Sequence, residues 1–210
     1  MVHSVHRQIL EVHAVRIGTI VKSNSHISYL CRVYGPLEAD TVPGPSDYAF
    51  GTFVSLSPSE QSGIRLVGII KDTLLLNPEF GNVGPRLSTD LDLSVFSPDY
   101  LNERGVLVDV LVLGWREGGR AHHEVPSLAA QVGTCVDVMT PEDVCAFHRD
   151  VRGRFLIGYL PHLMTGSDPM LASLLYMALE RLEPYFPEQR RVVRVLMNNV
   201  AWKARVVPAG

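Results

Sequence analysis

The sequence predicts a mainly β protein with α: a small closed β-barrel followed by a mostly helical C-terminal region. Three observations predict it. From about residue 14 to 140, apolar residues recur with period two in short runs separated by Gly-, Pro- and Ser-rich stretches. Gly68 interrupts one of those runs, the position of a bulge or close backbone approach that a small closed barrel needs at its corners. After Thr140 the apolar period lengthens to that of a helix. The expected division is a barrel over 1–140 and a helical region over 141–210 that includes a possible terminal strand.

The elements follow in order. Residues 12–22, "VHAVRIGTIVK", read as a strand entered from a polar start. "HISYLCRVY" at 26–34 places Ile27, Tyr29, Cys31 and Val33 on one face and Ser28, Leu30, Arg32 and Tyr34 on the other. "GPLEADTVPGPSDY" is a loop, since its prolines cannot sit inside a sheet. "GTFVSL" and "IRLVGIIKDTLLL" form two strands joined by a turn at 57–63. "NPEFGNVGPRLS" is a second loop, long enough to reach a neighbouring molecule. "GVLVDVLVLGW" is apolar on both faces and is expected as a central, doubly covered strand. "QVGTCVDVM" is the next strand, with Val132, Thr134, Val136 and Val138 on one face.

Thr140-Pro141-Glu142-Asp143 then has the form of a helix start: a capping hydroxyl, proline at the first helical position and acids in the first turn. "RFLIGYL" is expected as a strand or extended segment. "GSDPMLASLLYMALERLEP" is the clearest helix, capped by Ser167 or Asp168 and bracketed at its end by Pro184 and Pro187. "EQRRVVRVLMNN" is a second helix, and "VAWKARVVP" alternates as a terminal strand. Trp202 and the helix over 169–183 are expected in packing roles.

Bulk properties exclude several classes. A chain of 210 residues with 46% apolar residues can bury roughly 70% of its unfolded surface without a metal or disulfide staple. Cys31, Cys135 and Cys145 are odd in number and widely spaced, the pattern of reduced, buried thiols in a cytoplasmic protein. No secretion signal is read at the start, and the longest apolar run is too short for a membrane span. The net charge of −3 is unevenly placed: residues 149–210 carry nine Lys and Arg against five acids, leaving ten against seventeen elsewhere. A weakly basic tail on an acidic body suits a solvated helical surface, a nucleic acid or an acidic partner.

No residue set announces chemistry. His122 and His123 are adjacent in the polar loop after Trp115, and neighbouring residues point apart, so they do not read as a shared metal site. His3, His6 and His13 read as surface residues. Cys145 lies three residues from His148, the spacing of an activated thiol, but reads better as a core cysteine beside a surface histidine. Asp90 and Asp92 read as a solvated edge. There is no Gly-x-Ser-x-Gly, no phosphate-binding P-loop and no Gly-x-Gly-x-x-Gly. No catalytic, cofactor or metal residue is assigned.

The order "IGTIVKSNSHISYLCRVY", loop, "FGTFVSL", "IRLVGIIKD" resembles the amino-terminal HAS-barrel of HerA-type ATPases, which is shared with ATP synthase subunits. "VLVDVLVLGW" and "VPSLAAQVGTCVDVMTPEDVCAFH" are similar to the later strand, the proline-containing link and the short helix of that family, so the resemblance covers roughly 14–160. The departure is the absent P-loop motor. The resemblance therefore implies a non-catalytic assembly or adaptor barrel that forms a homo-oligomer or docks a HerA-type motor or nuclease in DNA processing. Two other readings stand beside it. One is a nucleic-acid-binding barrel using Arg190, Arg191, Arg194, Lys203 and Arg205 with Trp202 and Tyr185, basic residues interleaved with aromatics; the same residues without Tyr185 are the expected partner contacts. The other is a small-ligand or flavin-binding barrel.

Overall fold

The computed structural model describes residues 14–36, 38–58, 63–76, 105–165, 168 and 170–206. Seven strands are assigned among them: β1 (Arg16–Ser25), β2 (Ser28–Val33), β3 (Phe53–Leu56), β4 (Arg65–Leu76), β5 (Gly105–Glu117), β6 (Arg120–His122) and β7 (Cys135–Val138). They pair antiparallel in the order β2-β1-β7-β3-β4-β5, and β2 pairs with β5 to close a six-stranded barrel. β6 extends β5 as a hairpin outside that ring. Closure leaves few unpaired strand edges, which is how a short-stranded β protein avoids edge-to-edge association.

The two-residue period sorts the strand side chains between two cores. Ile17, Ile20, Tyr29, Cys31, Val54, Leu56, Leu66, Ile70, Val108, Val110 and Val136 fill the barrel interior. Phe53, Val67, Ile69, Leu111 and Leu113 point outward into a second core. Because β5 feeds both, its residues 108–114 are all buried, the expected doubly covered strand. Gly68 lies where the register shifts: Val67 pairs with Gly114 and Gly68 with Val112, so β5 carries the extra residue Leu113. A side chain at Gly68 has no room, since a Cβ there would lie 2.6 Å from Val110 Cγ1.

The outward core is covered by the helices. They are α1 (Pro141–Phe147), α2 (Leu160–Thr165), α3 (Met170–Leu182) and α4 (Arg190–Val206), with two short 3₁₀ turns between α3 and α4. Thr140 caps α1 by accepting the Asp143 amide, with Pro141 in the first turn. Asp168 caps α3 by accepting the Met170 amide. Leu174, Leu175, Ala178, Leu179 and Leu182 of α3 and Val193, Met197 and Val200 of α4 complete this core.

Three expectations are corrected. The terminal segment "VAWKARVVP" is not a strand, because α4 runs through Val206; Val193, Met197 and Val200 keep the helical period into the core, and the alternation from Val200 onward is coincidental. β7 begins at Cys135 rather than at Gln131, since Gly133 turns the chain with φ 86° and leaves Val132 77% exposed. His122 lies in β6 rather than in a loop. The extended alternative for "RFLIGYL" holds over 154–157, with one bridge from Phe155 to Arg149, before α2 begins. The loop over 77–88, Asp90, Asp92, His3, His6 and His13 lie outside the described residues. Among those that are described, no helix is long and apolar enough to cross a membrane.

Candidate functional site: the helix-covered face of the barrel

Three features occupy this face: a buried histidine knot, a groove beside it, and the outer surface of α4. In the knot, His148 is fully buried and sandwiched by backbone and tyrosine. Its Nδ1–H donates to the Val144 carbonyl at 2.8 Å, so Nε2 carries the lone pair and accepts from the Tyr159 hydroxyl, also at 2.8 Å. His123 is tied the opposite way: Nε2–H donates to the Phe147 carbonyl at 2.9 Å, and Nδ1 accepts the Gly158 amide at 2.8 Å. Both rings are saturated as neutral bases. Burial lowers the His148 pKa to about 3, with neighbouring His123 adding to the shift, and burial also lowers that of His123. Tyr159 is raised by the same burial. The knot ties the chain after β6, the end of α1 and the turn into α2 into one unit.

This arrangement reverses the reading of Cys145 and His148. The histidine is the core residue, and both of its nitrogens are committed, so neither can activate a thiol. Cys145 is only partly buried, and burial raises its pKa further from the thiolate form. Cys135 is likewise only partly buried, while Cys31 is interior, its thiol pushed up to about 12 by burial. The expectation of three buried thiols therefore holds fully for Cys31 alone. His122 and His123 point apart as expected: His122 stacks on Trp115 with ring centroids 4.7 Å apart. Among the described residues, no three His, Cys, Asp or Glu side chains converge as a metal site would require.

A groove of about 370 Å³ runs between the barrel wall and α2 with the start of α3. Its polar side is built by adjacent strands. Ser28 of β2 donates to Asp109 Oδ1 of β5 at 2.9 Å, and Lys71 of β4 reaches Asp109 Oδ2 at 3.2 Å. A second register shift, between Ile70 and Asp72, makes Lys71 the extra residue of β4. A larger concavity of about 690 Å³ lies at the other end of β1. Its rim includes Pro58 and Gly63, which flank residues 59–62, outside the described ones.

On α4 the expected contact residues divide. Arg190 and Arg194 both pair with Glu183, at 3.2 and 2.8 Å. Lys203 donates to the Met164 carbonyl at the end of α2. Arg191 is exposed, and Arg205 lies in the last turn, its side chain outside the described part. Trp202, expected to pack, is 64% exposed. With Val192 and Val195, 49% and 58% exposed, it lines the side of α4 opposite Val193, Met197 and Val200. Sequence reasoning missed this second stripe because the strand reading of the last segment hid that Val192, Val195 and Trp202 share a helical face.

The family whose description is "domain of unknown function (DUF8166)" matches residues 2–209, essentially the whole chain. The chain belongs to that family. No curated protein matches its sequence.

Proposed function

We propose that this member of the DUF8166 family is a non-catalytic assembly module, in which the closed barrel is a rigid scaffold and the outer face of α4 is its docking surface. The observation that carries this reading is the apolar stripe of Val192, Val195 and Trp202, exposed on a helix whose opposite side is fully packed. A helix held in place by one face that exposes Val192, Val195 and Trp202 around Asn199 on the other suits partner binding, and Trp and Arg are among the residue types that dominate interface energies. The stripe is flanked by Arg191, which suits a partner with acidic groups at its rim. The resemblance to HAS-barrels points to copies of this chain or to a HerA-type motor or nuclease as what it assembles with. A nucleic-acid role for the same surface is less supported, because Glu183 already occupies Arg190 and Arg194.

Light scattering behind size exclusion tests the reading, with the chain alone and co-expressed with a HerA-type motor and nuclease. The expected outcome is an oligomer or a stable complex that Val195→Glu combined with Trp202→Ala dissociates by at least tenfold. A monomer that holds neither partner, or assembly indifferent to both substitutions, would overturn it.

A further inference from the structure

The groove against the barrel wall is independent of the α4 surface, and its chemistry is more specific. We infer that it binds a small organic acid with an apolar body, the carboxylate being taken by Lys71. Its volume lies in the range of small-molecule sites, which are apolar clefts carrying a few placed polar groups. Leu111, Tyr159, Leu163 and Leu171 give it an apolar lining from both the barrel and the helices.

The polar end has an excess of donors. Asp109 is buried, and both of its oxygens are engaged, one by Ser28 and one by Lys71. It is therefore a positioning residue rather than a free acceptor. Lys71 carries three N–H donors. Asp109 takes one, and among the described residues no other group takes the remaining two. The ammonium thus stands at the groove, held by a buried counter-ion and placed there by the extra residue in β4. A group held this way loses little freedom on binding an acceptor, and a charge-assisted bond beside an apolar surface is the stronger kind. Glu124 and Asp168, the two exposed acids of the lining, limit the negative charge that the groove accepts. A monocarboxylate with a short hydrocarbon chain satisfies all three conditions.

The test is a methyl NMR titration of the full chain with sodium octanoate and, separately, with octylamine. The expected result is saturable shifts at the Leu111, Leu163 and Leu171 methyls with octanoate and none with octylamine. Lys71→Met is expected to weaken octanoate binding at least tenfold, the usual scale for a lost charge-assisted bond, and Lys71→Arg to change it only a few-fold. The comparison of the two amphiphiles on the unaltered chain stands even if Lys71→Met fails to fold. Absence of shifts with octanoate, equal shifts with octylamine, shifts centred on Val195 and Val200 of α4, or undiminished binding by a folded Lys71→Met protein would each overturn the inference.

Discussion

His148 has no contact with water, and the groups facing it are the Val144 carbonyl, the Tyr159 hydroxyl and the rings of His123, Phe53 and Phe147. None of these groups stabilises an added proton enough to offset the burial. The folded pKa is depressed to about 3 from an ordinary value of 6.5. The unfolded chain therefore takes up a proton as pH falls below 6.5, while the folded chain does not until about 3. Stability is full above the unfolded value and is lost as pH falls through that window. Between pH 7.5 and 5.0 this single ring costs on the order of 2 kcal/mol, and His123 adds in the same direction. Urea midpoints at the two pH values measure it. His148→Asn should flatten the difference, and an unchanged pH dependence in that variant would show that another group carries it.

Among the elements, β4 and β5 carry the geometry on which everything else hangs. Their two register shifts turn the barrel corner at Gly68 and project Lys71 toward the groove. Gly68 permits the first because Val110 Cγ1 and the Leu111 carbonyl oxygen stand 2.6 and 3.1 Å from where a Cβ would be. Gly68→Ala must displace a core valine or the β5 backbone. A loss of about 1–3 kcal/mol is expected, the usual cost of overpacking a filled core. Chemical denaturation measures it, and an unchanged midpoint would mean that the barrel wall yields freely at this corner. α4 shows the opposite relation between sequence and structure. Its buried stripe is regular, yet the alternation of Val200, Trp202, Ala204 and Val206 over the same residues reads equally as a strand. Tertiary packing chose the helix, because only the helical period brings Val193, Met197 and Val200 together onto α3.

At the scale of the whole molecule, barrel and helices share one core. Phe53, Val67, Ile69, Leu111 and Leu113 are apolar residues on the outside of the barrel, and α1, α3 and α4 exclude water from them. The two sequence segments divided at residue 140 should therefore unfold together. In a Trp202→Phe protein, Trp115 reports on the barrel by fluorescence while circular dichroism at 222 nm reports chiefly on the helices. Coincident midpoints are expected. Two separated transitions would show that the barrel stands without its helical cover.

The sequence by itself determined the strand alternation of the barrel, the helix cap at Thr140, the narrowing of the second cap to Ser167 or Asp168, the corner at Gly68 and the change of period after Thr140. Each is a local preference of backbone or side chain, legible over a few residues. Only the tertiary structure decided which apolar face of each strand looked into the barrel and which looked toward the helices, because a strand with both faces covered carries no polar side to mark the difference. It likewise decided that His148 is interior, that Arg190 and Arg194 are spent on Glu183, and that Ser28, Lys71 and Asp109 meet. Those three residues are far apart in the chain and unremarkable in type. Their approach follows from the pairing of β2, β5 and β4, a long-range register that no local pattern encodes.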